Sequence, residues 1–206
     1  MMTQGKKRAQ FTTRSISTIG VLAAVASILF LWEIPIVLFY KLDFSSIPIL
    51  LGAFSMGPLA GVLIQAVKSL IGLFHSTSQG VGELADLIMG AAMVLPAGWI
   101  YRHRKSRRGA LLGMALGTLS ATLVAVLCNV YLMIPFYGAV YNLPVEAIVD
   151  MGRSFIPSLN TIWDFVLLIT APFNAMKWVI ISVLTYVLYK PLSPVLHGRN
   201  AGSGRR

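Results

Sequence analysis

The chain carries little charge, a single cysteine and none of the common catalytic signatures. Charged residues make up 12% of its 206 positions against 56% hydrophobic, and the mean hydropathy is +0.76. That is more apolar surface than one soluble core of this size hides, so the scarcity of charge excludes an ordinary soluble domain and makes lipid the solvent. The lone cysteine, Cys128, lies in an apolar run, which excludes a disulfide framework and a paired-cysteine metal site. No GxxxxGK[ST] stretch occurs, so the chain has no phosphate loop with which to couple ATP hydrolysis. HExxH and GxSxG are missing too, and the three histidines, His75, His103 and His197, lie far apart. No catalytic constellation is visible, and an enzyme is not expected. Internal repeats are absent, and the only low-complexity stretch is the tail 198–206.

What the chain has is long apolar runs separated by basic clusters. Its net charge of +10 does not point to nucleic acid, because the cations fall between apolar runs rather than on one face of a soluble fold. The positive-inside rule accounts for them. The run from Ile16 to Trp32 is too long for a signal peptide, and Trp32, Glu33 and Ile34 make a poor cleavage site.

A helix needs roughly 20 apolar residues to cross the hydrocarbon. Four runs meet this: Ser15 to Trp32, Leu84 to Tyr101, Gly109 to Met133 and Thr161 to Tyr189. The stretch from Phe44 to Phe74 is either one tilted helix or two short ones broken at Gly57 and Pro58. Charge parity chooses two. Most of the cations form three groups: Lys6, Lys7, Arg8 and Arg14; Arg102, Arg104, Lys105, Arg107 and Arg108; and Lys190, Arg199, Arg205 and Arg206. Only an extra span puts all three on one side. The expected fold class is therefore an all-α integral membrane protein of six transmembrane helices, with both termini cytoplasmic and a pocket open to the exterior. A basic N-terminus (1–14), a membrane domain (15–190) and a flexible basic tail (191–206) are its expected parts.

In this arrangement all seven acids, Glu33, Asp43, Glu83, Asp86, Glu146, Asp150 and Asp164, fall at or near the external face. Acids weigh little in the orientation rule, so their segregation suggests a polar external site. Three external connections follow: Glu33 to Ser46, His75 to Gly82, and Ile134 to Asn160. The last is long enough to hold structure of its own. Pro144 and the residues to Asp150 read as a short helix with proline at its first position, serving either as a lid or as a connector on the lipid headgroups.

Polar residues inside the spans are the sharpest local signal. Asn174 and Lys177 share one face of the last helix, with Thr170 one turn earlier. A lysine at that depth costs at least about 2.5 kcal/mol on insertion scales unless it faces a cavity or a partner. The alternative is a structural hydrogen bond between helices. Pro172 in the same turn predicts a kink. Asn129 is a similar case in the fifth helix, whereas Lys68 reads as a side chain that snorkels to an interface. Glu83 and Asp86, at the start of the fourth helix, read equally as ligand groups or as acids complementing its dipole. Gly109, Gly113 and Gly117 form a double GxxxG, a packing surface within the bundle. Gly20, Ala23, Ala24 and Ser27 give the first helix a small-residue face for packing or for docking another membrane subunit.

Several of these segments are familiar together. Lys41 to Pro48 (KLDFSSIP), Met56 to Val62 (MGPLAGV), Gly80 to Leu84 (GVGEL) and Asn174 to Lys177 (NAMK) resemble the riboflavin-specific S-components of energy-coupling factor (ECF) transporters, over roughly positions 15 to 190. The resemblance implies six helices in a bacterial cytoplasmic membrane, an external substrate pocket and no ATPase of its own. It implies riboflavin as transported ligand with no cofactor, and, as partners, a membrane T-component docked partly on the first helix and two ATPases. It also implies a pocket in which Asn129, Asn174 and Lys177 hold polar groups of the ligand. Leu42, Phe44, Gly80 and Val81 would close over it, Asp43, Thr77 and Glu83 complete the expected substrate-binding residues, and the ribityl hydroxyls would want carboxylates or amides near the mouth. A flavin's uracil-like edge alternates donors and acceptors, which asparagine amides and a lysine match. Three other readings stay open: an S-component for thiamine, biotin or a folate; a small membrane enzyme acting on lipid head groups, although the acids lack metal-ligand spacing; and a purely structural membrane protein.

Overall fold

The computed structural model describes residues 12–197. The basic groups Lys6, Lys7 and Arg8, and Arg199, Arg205 and Arg206, lie outside the described residues.

The protein is a helical bundle with one small hairpin. Helix α1 (Thr13–Phe30) leads into a two-stranded antiparallel hairpin, β1 (Ile34–Val37) and β2 (Tyr40–Leu42), which is followed by α2 (Ser46–Met56) and α3 (Pro58–Gly72). Then come α4 (Val81–His103), α5 (Arg107–Cys128), α6 (Ile134–Tyr141), α7 (Val145–Arg153), α8 (Ile162–Phe165) and α9 (Ala171–His197). Among the described residues, five helical stretches are long and apolar enough to cross a membrane: Thr13–Phe30, Pro58–His75, Val81–His103, Arg107–Tyr141 and Ile162–Tyr189.

The Phe44 to Phe74 stretch is two helices, broken where expected. Gly57 sits at φ +103°, a conformation that Cβ-bearing residues avoid, and Pro58 starts α3 at the position where a missing N–H costs nothing. Of the pair, α2 is the short member. Its 11 residues rise about 16 Å, roughly half the hydrocarbon thickness, and every residue from Ser46 to Phe54 is buried. It is an inner element walled by its neighbours.

The glycine ridge of α5 packs inside the bundle as the sequence implied. A Cβ on Gly113 would lie 2.7 Å from the Ala97 carbonyl, and one on Gly117 2.6 Å from that of Met93. Only hydrogen allows α5 to approach α4 so closely.

Two corrections concern the segment that follows α5. The helix expected to end at Met133 runs on to Tyr141, so helix occupies the first part of the expected 134–160 connection. Pro144 is the N-cap of α7 rather than its first helical residue. α7 buries Ile148 and Val149 in a second core with Leu159 and Phe165, which packs it against the bundle.

Both interrupted helices share one device. Residues Asn129–Met133 and Val166–Thr170 each form a π turn, and each turn ends two residues before a proline, Pro135 and Pro172. Proline cannot donate to the carbonyl four residues back, and one extra residue per turn accommodates the lost bond. The irregularity expected at Pro172 takes this form.

Candidate functional site

A cavity of about 480 Å³ opens between the hairpin, the start of α4, the first π turn and the start of α9, within the size range of small-molecule sites. Its wall is built in three parts.

The apolar part is aromatic. The hairpin tip carries Phe39 and Tyr40, with Leu38 at the turn in a positive-φ conformation. The Tyr40 ring stacks on Phe173 with centroids 5.1 Å apart, and Phe39 meets Tyr137 edge to face at 6.0 Å. Tyr141 and Met133 continue this wall. A planar ligand finds faces here at the cost of few rotatable bonds.

The polar floor is Asn129, Asn174 and Lys177. Asn174 Nδ2 donates to the Thr170 carbonyl (2.9 Å), and no other hydrogen bond engages this side chain among the described residues. Asn129 Nδ2 donates to the Ala125 carbonyl (2.8 Å), while its Oδ1 accepts from the Tyr40 hydroxyl (2.9 Å). Lys177 Nζ donates to Asp43 Oδ2 at 2.9 Å. Asp43 also accepts from the Ser45 amide (3.0 Å) and hydroxyl. Burial works to raise the Asp43 pKa, but the Lys177 and Lys68 charges outweigh it and hold the carboxyl well below its usual range. Burial pushes the Tyr40 phenol up, so it remains a donor.

The third part is acidic. Glu83 accepts from the Ser76 and Ser78 hydroxyls (2.7 and 3.2 Å). Those serines in turn accept from the Gly80 and Gly82 amides and thereby order the turn into α4. Asp86 pairs with Lys68 and with Gln65. Glu33 and Lys41 pair across the hairpin at 2.5 Å.

Of the residues singled out in the sequence, Asp43, Thr77, Glu83, Asn129, Asn174 and Lys177 line this one cavity. Leu42, Phe44, Gly80 and Val81 do not. Leu42 is buried opposite Ile34 in the hairpin, and Phe44 packs on the main core. Gly80 takes φ +91° to start α4, and Val81 is buried within it. These four shape the segments that carry Asp43 and Glu83. Lys68 does not snorkel: it is fully buried, 4.3 Å above the Phe30 ring, and it bonds Ser45 and Asp86. On α1, Ala23 is turned into the core. Gly20 and Ala24 remain exposed, and half-buried Ser27 bonds back to the Ala23 carbonyl.

Sequence reasoning missed Tyr40, Phe39, Phe173 and the role of Asp86. One usable signal was the proline placement, since Pro135 and Pro172 mark the two π turns that flank the site. Among the described residues, no group of three or more histidine, cysteine or acidic side chains could hold a metal ion.

The profile of the family described as "ECF transporter, substrate-specific component" matches residues 14–189. The riboflavin transporter RibU of Staphylococcus aureus is 30% identical over 186 residues, covering 89% of this chain and 92% of that protein. The riboflavin transporter FmnP of Bacillus subtilis is 26% identical, covering 88% and 93%. A solved structure of the S component of a bacterial ECF transporter superposes with a TM-score of 0.69 at 28% identity, covering 89% of this chain and 97% of the other.

Proposed function

The chain belongs to the substrate-specific components of ECF transporters, and from that premise we propose that it binds riboflavin in the cavity described above and hands it to a transport complex. The observation that carries this reading is the pairing of an aromatic wall, Phe39, Tyr40, Tyr137 and Phe173, with a floor of two asparagines and a lysine. A flavin has an extended apolar face and an edge of alternating carbonyl and N–H groups, and such a wall and floor complement both. Asn129, Asn174 and Lys177 meet the ring edge, while Glu83 and Thr77 stand where hydroxyls of a polyol chain find acceptors.

The charge balance favours a neutral ligand over biotin or a folate. Lys177 and Lys41 are each already engaged by an acid, which among the described residues leaves no unpaired lysine in the cavity wall for a ligand carboxylate. The energy comes from elsewhere: a membrane T-component docking on the exposed small-residue face of α1 at Gly20 and Ala24, and two ATPases beneath it.

The visible spectrum of the purified protein tests the ligand. Bound flavin gives a yellow preparation with altered fluorescence. A colourless preparation that also fails to bind added riboflavin overturns the reading.

A further inference from the structure

Resting on that reading, we propose that Tyr40 is the positioning residue that fixes the Asn129 side-chain amide as an acceptor toward the cavity, and thereby makes the pocket select ligands presenting an N–H there. The inference comes from counting protons. Tyr40 has a single hydroxyl proton and gives it to Asn129 Oδ1 (2.9 Å). The Tyr40 oxygen is also in hydrogen-bond contact with Thr170 Oγ1. With the tyrosine proton committed, the threonine hydroxyl is the donor in that contact. The result is a directional chain, Thr170 to Tyr40 to Asn129, closed at its far end by Asn129 Nδ2 donating to the Ala125 carbonyl (2.8 Å).

Two consequences follow. Asn129 cannot exchange its oxygen and nitrogen without breaking the Ala125 bond and turning the Tyr40 proton toward Thr170. Ala125 takes one of the two Asn129 amide protons and Tyr40 one of the two Oδ1 lone pairs, so a ligand meets the second Oδ1 lone pair and the second N–H in a fixed order. Asn174 repeats the arrangement, with Nδ2 bound to the Thr170 carbonyl. The floor thus presents two amides of fixed orientation beside one lysine donor, and a site with a buried acceptor aimed at the ligand rejects an analogue that lacks the matching N–H.

The fold assembles this chain from three distant segments. Asn129 opens one π turn, Thr170 closes the other, and the hairpin brings Tyr40 between them. Stacking on Phe173 and contact with Phe39, at 4.7 Å between centroids, hold the ring independently of its hydroxyl. Removing the hydroxyl alone is therefore a clean perturbation.

The test measures binding of riboflavin and of 3-methylriboflavin, whose imide N–H is blocked, to the full chain by fluorescence quenching. The wild type is expected to prefer riboflavin by about tenfold or more, in line with the rejection of analogues by hydrogen-bonding sites. Tyr40→Phe should shrink that preference to a few fold, chiefly through weaker riboflavin binding. Thr170→Val should act in the same direction, and Thr170→Ser, which keeps the hydroxyl, should restore the preference; these two decide the matter if Tyr40→Phe does not fold. Equal loss for both ligands in Tyr40→Phe would mark a merely structural role and overturn the inference, as would a wild type indifferent to methylation. A wild type that binds neither flavin fails the functional reading instead, a distinguishable result.

Discussion

Lys177 and Asp43, 134 positions apart, form an ion pair at 2.9 Å between the middle of the last long helix and the segment just after the hairpin. Both are largely buried, with side-chain exposures of 12% and 4%, so each justifies the other's position in a medium that tolerates neither charge alone. The pair is one end of a polar run that continues through Ser45 and Lys68 to Asp86 and Gln65. The hairpin, α3, α4 and α9 are thereby tied together behind the cavity.

Breaking this pair from one side should cost about 3 kcal/mol or more of stability, because a buried carboxylate is left uncompensated. Lys177→Met is expected to lower the thermal midpoint in detergent and to weaken riboflavin binding. The double change Lys177→Met with Asp43→Leu should recover much of the stability without recovering binding. A double-mutant cycle with no coupling between the sites would refute the account.

The same pair sets a pH dependence. Since the folded Asp43 carboxyl is held below its ordinary value, its contribution is complete above the unfolded carboxylate range, about pH 4. It drains away as pH falls from there toward the folded pKa. Acid unfolding followed by intrinsic fluorescence should begin at higher pH in Lys177→Met than in the wild type.

Burial should separate the two other lysine pairs. Lys68 is fully buried beside Asp86, and Lys68→Met is expected to destabilise by about 3 kcal/mol. Lys41 and Glu33 are more exposed, at 41% and 27%, and Lys41→Ala should cost well under about 1 kcal/mol. Thermal melts of the two variants side by side give the comparison, and similar losses would show that depth is not what distinguishes them.

Asn174→Ala removes an acceptor from the cavity floor while leaving the helix intact. Riboflavin affinity should fall by roughly tenfold or more, the scale of one hydrogen bond lost from a desolvated site. An unchanged dissociation constant would remove Asn174 from the binding reading.

Two glycines should respond in opposite ways. A Cβ at Gly117 would lie 2.6 Å from the Met93 carbonyl, so Gly117→Val is expected to destabilise by about 1–3 kcal/mol or prevent folding. A Cβ at Gly20 would meet nothing within 4 Å. Gly20→Leu should leave flavin binding untouched and reduce co-purification with the T-component. Undiminished co-purification would place docking elsewhere on the chain.

Much of this protein is written in local features of its sequence. Runs of apolar residues near Thr13–Phe30 and Val81–His103 declare their solvent without reference to any neighbour. Gly57 followed by Pro58 breaks a helix through backbone geometry alone. Asn129, Asn174 and Lys177 stand out because polar groups in apolar spans need a partner wherever the chain goes, and all three line the cavity. The identity of the partner is another matter. Seven acids were available to Lys177 and Lys68, and only packing brings Asp43 to one and Asp86 to the other. Tyr40 is one more aromatic in a short, largely apolar connection until a hairpin turns it in between two π turns. Hydropathy and backbone preference act residue by residue and can be added along a chain. An ion pair or a directed hydrogen bond holds over a few ångströms, and that distance exists only once helices far apart in sequence have packed.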